Sequence, residues 1–599
     1  MDDVDVFVNV GTVVALGVGA QWLARTLHAP AIVLLLFAGI LAGPVTGLVD
    51  PPALFGDSLD PLITLAVGLL LFDAGFSLRF ADIGQSRTVV LRLVTVGLVV
   101  TWAVGAAASY LVFGLAPGVA VLLGAVLVVS GPTVVGPILA QARPSSALSK
   151  LLTWEGTLLD PIGAALGVAV LTVVTSGAVL EGAGQLLATA GLGIAVGLAG
   201  AMVLVASLRY FLVPDDLQVP VAFMMAVAVF VVATSLLPEA GLFATLTTGL
   251  VLANQRWAFV SRVRSFGETV GTLVIGVLFI VLAAQIQLDD LRAVLVPSLV
   301  LLGVLVLAAR PLATLLSTVR TSLTRAERGF VASVAPRGVV AASTVSAYAI
   351  SLSAAGLDPG PVVPVTFAVI IGAGIVYGFG SPVVARLLGV SRRVPGGVAF
   401  FGPEAVARPL ATRLAEAGVP VVVVTGDVAE PAEQERPYDL FAEGLDADEL
   451  PVMLADAGIG SAVVTGGSVE HNAVAMGLAA GVLGSSRVHY VPGRAGDTVQ
   501  GIGAAWRRRM PARRRAFGTD VTLATLRSVG HGEEALTWLP VEAATAGSGT
   551  VVPLFAVGPQ HRATVATPRA LSRLERARDR DRTRLLCLVP STTGDAVDR

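Results

Sequence analysis

Apolar runs of about 20 residues recur from residue 6 to residue 389, and each is long enough to cross the hydrocarbon core of a bilayer. Residues 1–390 hold 17 Lys+Arg and 19 Asp+Glu, 36 in all or 9% of the stretch; residues 391–599 hold 23 of each, 46 in all or 22%. The second value is ordinary for a soluble domain. The first is too low, over too long a stretch, for one water-soluble core. A disulfide-built secreted fold is excluded too, because Cys587 is the lone cysteine. The net charge of −2 gives no nucleic-acid footprint. The acidic start, Met1-Asp2-Asp3-Val4-Asp5, lacks a basic leader region, so no cleaved signal peptide is expected. A polytopic α-helical membrane protein with a soluble tail is the class these numbers leave.

Breaks of charge, proline and glycine divide the apolar part into thirteen expected helices. They lie near 6–25, 30–49, 60–79, 88–114, 117–142, 150–176, 185–212, 219–237, 241–254, 267–285, 292–319, 328–352 and 361–389. Loops after odd-numbered helices carry thirteen Lys or Arg, whereas the N-terminal segment and the even loops carry Arg292 alone. Positive residues stay inside, so the N-terminus is expected outside and the tail in the cytoplasm. An echo appears at an offset of seven helices. Leu35-Leu36-Phe37-Ala38-Gly39-Ile40-Leu41-Ala42-Gly43 rhymes with Leu246-Thr247-Thr248-Gly249-Leu250-Val251-Leu252-Ala253-Asn254, and Leu70-Leu71-Phe72-Asp73 with Val277-Leu278-Phe279-Ile280. An odd offset inverts the second copy, and inverted repeats mark secondary transporters.

Ionisable residues within spans carry the chemistry, since each costs about 2.5–3.5 kcal/mol on insertion scales unless paired or hydrated. They are Asp73, Glu155, Asp160, Glu239, Glu268, Arg310 and Arg337. Glu268 and Arg310 are expected near span ends, free to snorkel. Asp73 is placed toward the cytoplasmic end of the third helix, and Glu239 as an outer-surface cap. Glu155 and Asp160 lie deeper, in Trp154-Glu155-Gly156-Thr157-Leu158-Leu159-Asp160-Pro161, about 140° apart around one helix. Pro161 has no N–H and frees the Thr157 carbonyl, and Thr157 shares the Asp160 face. Carboxylate, carbonyl and hydroxyl are the oxygens a dehydrated hard cation needs. The fifth helix should unwind at Ser130-Gly131-Pro132-Thr133-Val134-Val135-Gly136-Pro137, which adds Ser130 and Thr133 to the expected ion ligands. The twelfth carries a second break, Ala335-Pro336-Arg337-Gly338. Arg337 is expected to bridge to Glu155, leaving Asp160 to choose between proton and cation.

At these residues the chain resembles the monovalent cation:proton antiporters of the NhaP type across most of residues 10–390. The likeness rests on Pro30-Ala31-Ile32 through Gly43-Pro44, Leu71 through Leu78, Glu155 through Asp160, Pro238-Glu239-Ala240-Gly241-Leu242 with Gly249-Leu250-Val251, and Ala335-Pro336-Arg337-Gly338. It implies thirteen helices in two inverted repeats, a homodimer in the cell membrane, Asp160 as the exchanging carboxylate, and Glu155 with Arg337 as a buried acid–arginine pair. Two departures stand out. Leu159 replaces an Asn common before the key Asp, and Ser130-Gly131-Pro132 replaces Thr-Asp-Pro, so one carboxylate is missing. One exchanging carboxylate points to electroneutral one-for-one exchange of sodium or potassium for a proton, with no enzymatic activity and no cofactor. A potassium-efflux or channel-like conduit gated by the tail is the alternative reading. A membrane redox enzyme fails for want of an intact dinucleotide loop.

After a linker at 391–397 comes a β-α-β pattern: a strand at 398–401, the turn residue Gly402, a helix at 404–417 and a strand from 420 to 425, with Asp427 beyond it. This is similar to the Rossmann-like nucleotide-binding regulatory domain of TrkA-type potassium-transport proteins, over 398–495. Gly402 and Asp427 would take the phosphate-turn and ribose positions. Glu404, however, puts a negative side chain where pyrophosphate should approach, so a scaffold for assembly or regulation is expected rather than nucleotide binding. The clusters Arg507-Arg508-Arg509 and Arg513-Arg514-Arg515 read as solvated basic surface. Residues 496–599 read as a small β-rich module with a charged helix near 569–584 and a strand at 585–589.

Overall fold

A computed structural model describes residues 3–27, 29–258 and 260–391, then 396–425, 437–442, 450–466, 469–492, 516–517, 521–530, 534–541, 551–558, 561–567, 570–571, 574 and 583–590. The chain divides into two compact units, Met1–Ser391 and Arg392–Arg599.

The first unit is a helical bundle, the one lipid-compatible answer to an apolar chain that must satisfy its own backbone groups without closing a barrel. Among the described residues nine helices are long and apolar enough to cross a membrane: Phe7–Leu27, Leu59–Phe76, Arg87–Phe113, Ser146–Ser176, Val179–Arg209, Gln218–Leu236, Arg262–Ala284, Leu288–Ser317 and Val362–Leu387. Four shorter apolar helices, Ala31–Val45, Pro117–Val126, Ala240–Asn254 and Val339–Ala354, pack among them. Leu35, Leu71, Leu122 and Val345 are fully buried in one large core, while Leu111 and Leu307 stand exposed on the outside. An apolar exterior suits lipid.

One glycine in each of the two echoed helices makes a close approach. A Cβ on Gly39 would meet Ile280 O at 2.8 Å, and one on Gly249 would meet Phe72 O at 2.2 Å. Each copy of the echoed helix thus lies against the partner of the other copy at a distance only glycine allows.

Two helices are broken. Pro117–Val126 ends in a tightened turn, with Val128 N donating to Ala125 O and Val129 N to Val126 O. The chain is extended at Gly131 and helical again over Pro132–Ala142. The break therefore lies at 127–131, ahead of the expected 130–137. Pro132 takes the first helical position, where its missing N–H costs nothing. Arg325–Ala332 likewise stops, and the chain runs extended to Gly338 before Val339–Ala354 begins. The two breaks touch: Gly338 N donates to Val129 O at 3.1 Å.

In the second unit five parallel strands, β1 (Gly397–Phe401), β2 (Val421–Thr425), β3 (Asp439–Ala442), β4 (Ile459–Val464) and β5 (Val488–Tyr490), lie in the order β3-β2-β1-β4-β5. Helices Glu404–Glu416, Leu450–Asp456 and Val469–Leu483 alternate with them. The central strand β1 is buried along its length. Val398 and Phe400 enter one core, Ala399 and Phe401 another, which is why it reads as an unbroken apolar run. A second sheet, β6 (Glu534–Pro540), β7 (Val552–Val557), β8 (Ala563–Val565) and β9 (Arg584–Pro590), is antiparallel in the order β6-β9-β7-β8. The expected strand at 585–589 is β9. Of the expected charged helix at 569–584, Ala570, Leu571 and Leu574 are described as helical, Thr583 lies outside any element and Arg584 already belongs to β9. The arginine clusters at 507–509 and 513–515 lie outside the described residues.

Candidate functional site

Asp160 sits on the Ser146–Ser176 helix with 2% of its surface exposed, where the two chain breaks cross. A Cβ on Gly131 would lie 2.9 Å from its Oδ2, and a Cβ on Gly338 2.9 Å from its Oδ1. Both glycines are therefore required by close approach to the carboxylate. Each also precedes the first turn of a helix, so two positive helix ends face one acidic group. Its Oδ1 nevertheless has no hydrogen-bond partner among the described residues. The same is true of the buried hydroxyls of Thr157 and Thr133. Ser130 is buried in the first break. Thus Asp160, Thr157 and Thr133, three of the four residues expected as ion ligands, each offer a buried, uncommitted oxygen. Such oxygens are costly unless something fills their coordination. The arrangement can hold a proton or a dehydrated hard cation.

The expected Glu155–Arg337 bridge is not what forms. Both Glu155 oxygens are taken by Arg310, Nη1 to Oε1 and Nη2 to Oε2, the latter at 2.9 Å. Arg310 Nε donates to Val331 O at 3.0 Å. Arg310, expected to snorkel from a span end, is only 6% exposed. The sequence gives no sign of the reason: a wider π-type turn at Leu305–Ala309 immediately precedes it and resets the helix face it occupies. Arg337 is 4% exposed and lines the same small cavity as Glu155 and Arg310. Its Nη2 has no partner among the described residues.

One other acid differs from expectation. Glu239 is no cap: it precedes the Ala240–Asn254 helix in the left-handed conformation (φ 64°), makes no capping bond, and buries an Oε2 with no partner among the described residues. Asp73 lies in the last turn of Leu59–Phe76, at a helix end as expected, packed against Gly267 and Gly271 of the neighbouring helix, where a Cβ on Gly267 would lie 2.4 Å from its Oδ1. It lines a cavity of about 270 Å³ with Thr133, Arg264 and Glu268. Glu268 is exposed, as expected of a span end, and pairs with Arg264 at 3.6 Å.

In the second unit Gly402 (φ 149°) follows β1 so closely that a Cβ would meet the Thr465 carbonyl carbon and Oγ1 at 2.7 Å. The approach of the chain after β4 is enough to require glycine there. Glu404 Oε1 accepts from Arg408 at 3.1 Å and from Tyr438 at 3.0 Å. Burial first, then that bond to Glu404, pushes the Tyr438 phenol above its ordinary range. Asp427 lies outside the described residues.

A helical bundle in which two interrupted helices cross over a buried carboxylate has the architecture of a secondary transporter. Residues 12–387 match the family described as sodium/hydrogen exchanger, transmembrane. The chain belongs to that family of multi-pass membrane transporters, and cation/proton antiport is the activity the family supports. Its fold is similar to the structure of the sodium proton antiporter MjNhaP1 from Methanocaldococcus jannaschii at pH 8, at 22% identity and a TM-score of 0.57, over 65% of this chain and 100% of that one. It is also similar to an electron-microscopy structure of the same antiporter, at 21% identity and a TM-score of 0.51, over 65% of this chain and 96% of that one.

Proposed function

We propose that the protein exchanges a monovalent cation, sodium or potassium, for a proton by competition at Asp160. The observation that carries this is the buried Asp160 carboxylate at the crossing of the two breaks, with Oδ1 uncommitted. One buried negative charge in low dielectric tolerates one compensating positive charge. A proton and a cation therefore exclude each other there. Thr157, Thr133 and Ser130 would complete the shell of a dehydrated cation, with no further carboxylate at Gly131 to alter the count. One charge in and one charge out makes the exchange electroneutral. Glu155 and Arg310 hold the scaffold, because both partners are already satisfied.

We read the nine long helices and the four short or broken ones as thirteen spans in two inverted repeats. The crossed glycine contacts of Gly39 and Gly249 support that reading. Movement of one helix group against the other would expose Asp160 alternately. An N-terminus outside and a second unit in the cytoplasm fit the charge bias of the loops, and the family resemblance adds a homodimer in the cell membrane. The second unit's 3-2-1-4-5 strand order supports a Rossmann-like, TrkA-type scaffold, and Glu404 argues against a nucleotide on it.

The test is cation-driven proton movement in proteoliposomes containing a pH dye, with sodium and potassium pulses at clamped voltage, for wild type and Asp160→Asn. Wild type should dissipate the gradient, with an apparent KM for the cation that rises as pH falls, and the variant should be silent. A variant that matches wild type would sink the assignment.

A further inference from the structure

Beside the carboxylate site lies a second buried polar cavity with the opposite charge. Glu155, Arg310, Arg337 and Ser130 line it, together with apolar neighbours such as Leu93 and Val334. Arg310 and Arg337 contribute +2 and Glu155 −1, which leaves +1. Both Glu155 oxygens are committed to Arg310. Arg337 is only 4% exposed, and its Nη2 finds no acceptor among the described residues. A guanidinium in the low-dielectric interior costs several kcal/mol unless it is paired or hydrogen-bonded. Ser130 also lines the cavity. The cavity, about 20 Å³, takes a particle no larger than one water or one halide. An organic anion does not fit. A cation would face two guanidinium groups.

We propose that this cavity binds one small monovalent anion of the halide class, held by Arg337 and neighbouring donors beside the Arg310–Glu155 pair. The anion would neutralise the charge that the ion pair leaves over, and so hold the second chain break in register under Gly338. It is a structural site that shares only Ser130 with the cation site proposed at Asp160.

The experiment is thermal unfolding of the purified full chain in detergent, followed by tryptophan fluorescence, in choline chloride, choline bromide and choline gluconate at equal ionic strength. Chloride and bromide should raise the midpoint saturably over gluconate, and Arg337→Gln should lose that difference. Equal wild-type midpoints in all three salts would overturn the proposal and leave water as the occupant. A chloride response that survives in Arg337→Gln would overturn it as well. Should that variant not fold, wild-type crystals soaked in bromide decide the matter. An anomalous peak within hydrogen-bond reach of Arg337 Nη2 supports the site, and its absence at saturating bromide overturns it.

Discussion

Gly131 and Gly338 open two helices that close on the Asp160 carboxylate, whereas in the second unit Gly402 and Pro403 lead into a helix whose first-turn acid is Glu404. Both places set an acidic side chain at helix N-termini, where the dipole favours it. They differ in what else the acid touches. Glu404 receives Arg408 and Tyr438 on one oxygen. Asp160, 2% exposed, keeps an oxygen with no donor among the described residues, and the buried Thr157 and Thr133 hydroxyls are equally uncommitted there. A satisfied acid is architecture. An unsatisfied one in a place this costly is held for something that comes and goes.

The largest effect should come from removing that choice. Asp160→Asn keeps the shape and removes the charge. Exchange in proteoliposomes should fall to background while the unfolding midpoint holds or rises, since an uncompensated acid has gone from the core. If the midpoint collapsed instead, Asp160 would belong with Glu404 as a structural acid. Glu155→Gln should do the reverse. It strands Arg310 without its partner and should cost about 3–5 kcal/mol of stability, read as a large drop in midpoint and in folded yield. A stable, folded Glu155→Gln would show that Arg310 has another way out of its burial.

The two acids of one helix were separable in the sequence only in part. The burial of Asp160 and Thr157 and the presence of both chain breaks are legible, because proline, glycine and a buried carboxylate each carry a large local cost. The five-stranded unit was legible from its apolar strands and the turn at Gly402. The partner of Glu155 was not. Arg310 lies in a long apolar span, and the π-type turn at Leu305–Ala309 that resets its face has no proline or glycine to announce it. Glu239 was hidden for a related reason, because a left-handed non-glycine residue leaves no compositional mark. The first break lies a few residues ahead of its expected position because neither proline interrupts the chain: Pro132 starts a helix and Pro137 is carried within it.

A smaller effect should distinguish the two kinds of glycine. Gly402→Ala forces a Cβ against Thr465 in a backbone region other residues avoid, at a cost of about 1–3 kcal/mol. Hydrogen exchange should then speed up in β1 and β4 of the full-length protein and not in the membrane unit. Gly131→Ala, by contrast, presses on the Asp160 carboxylate itself. Its signature should be a changed apparent KM for the transported cation, with little change in exchange protection elsewhere. Identical signatures from the two substitutions would erase the distinction between a packing glycine and a site glycine.

The smallest effect concerns the acid that already has its partners. With Glu404 filling the helix N-terminus, the full-length protein should show no saturable change in NADH fluorescence on titration. Glu404→Gly removes the carboxylate, frees the Arg408 and Tyr438 donors, and restores a small residue at the position a pyrophosphate would approach. A weak but measurable NADH affinity should appear in that variant. Tight binding by wild type would mean that Arg408 and Tyr438 release Glu404 readily, so that the second unit, too, holds its acid in reserve. The half-exposed Arg408 makes its share of that bond a modest one. The two-donor grip on a single oxygen, rather than the strength of either bond, is what keeps the turn closed.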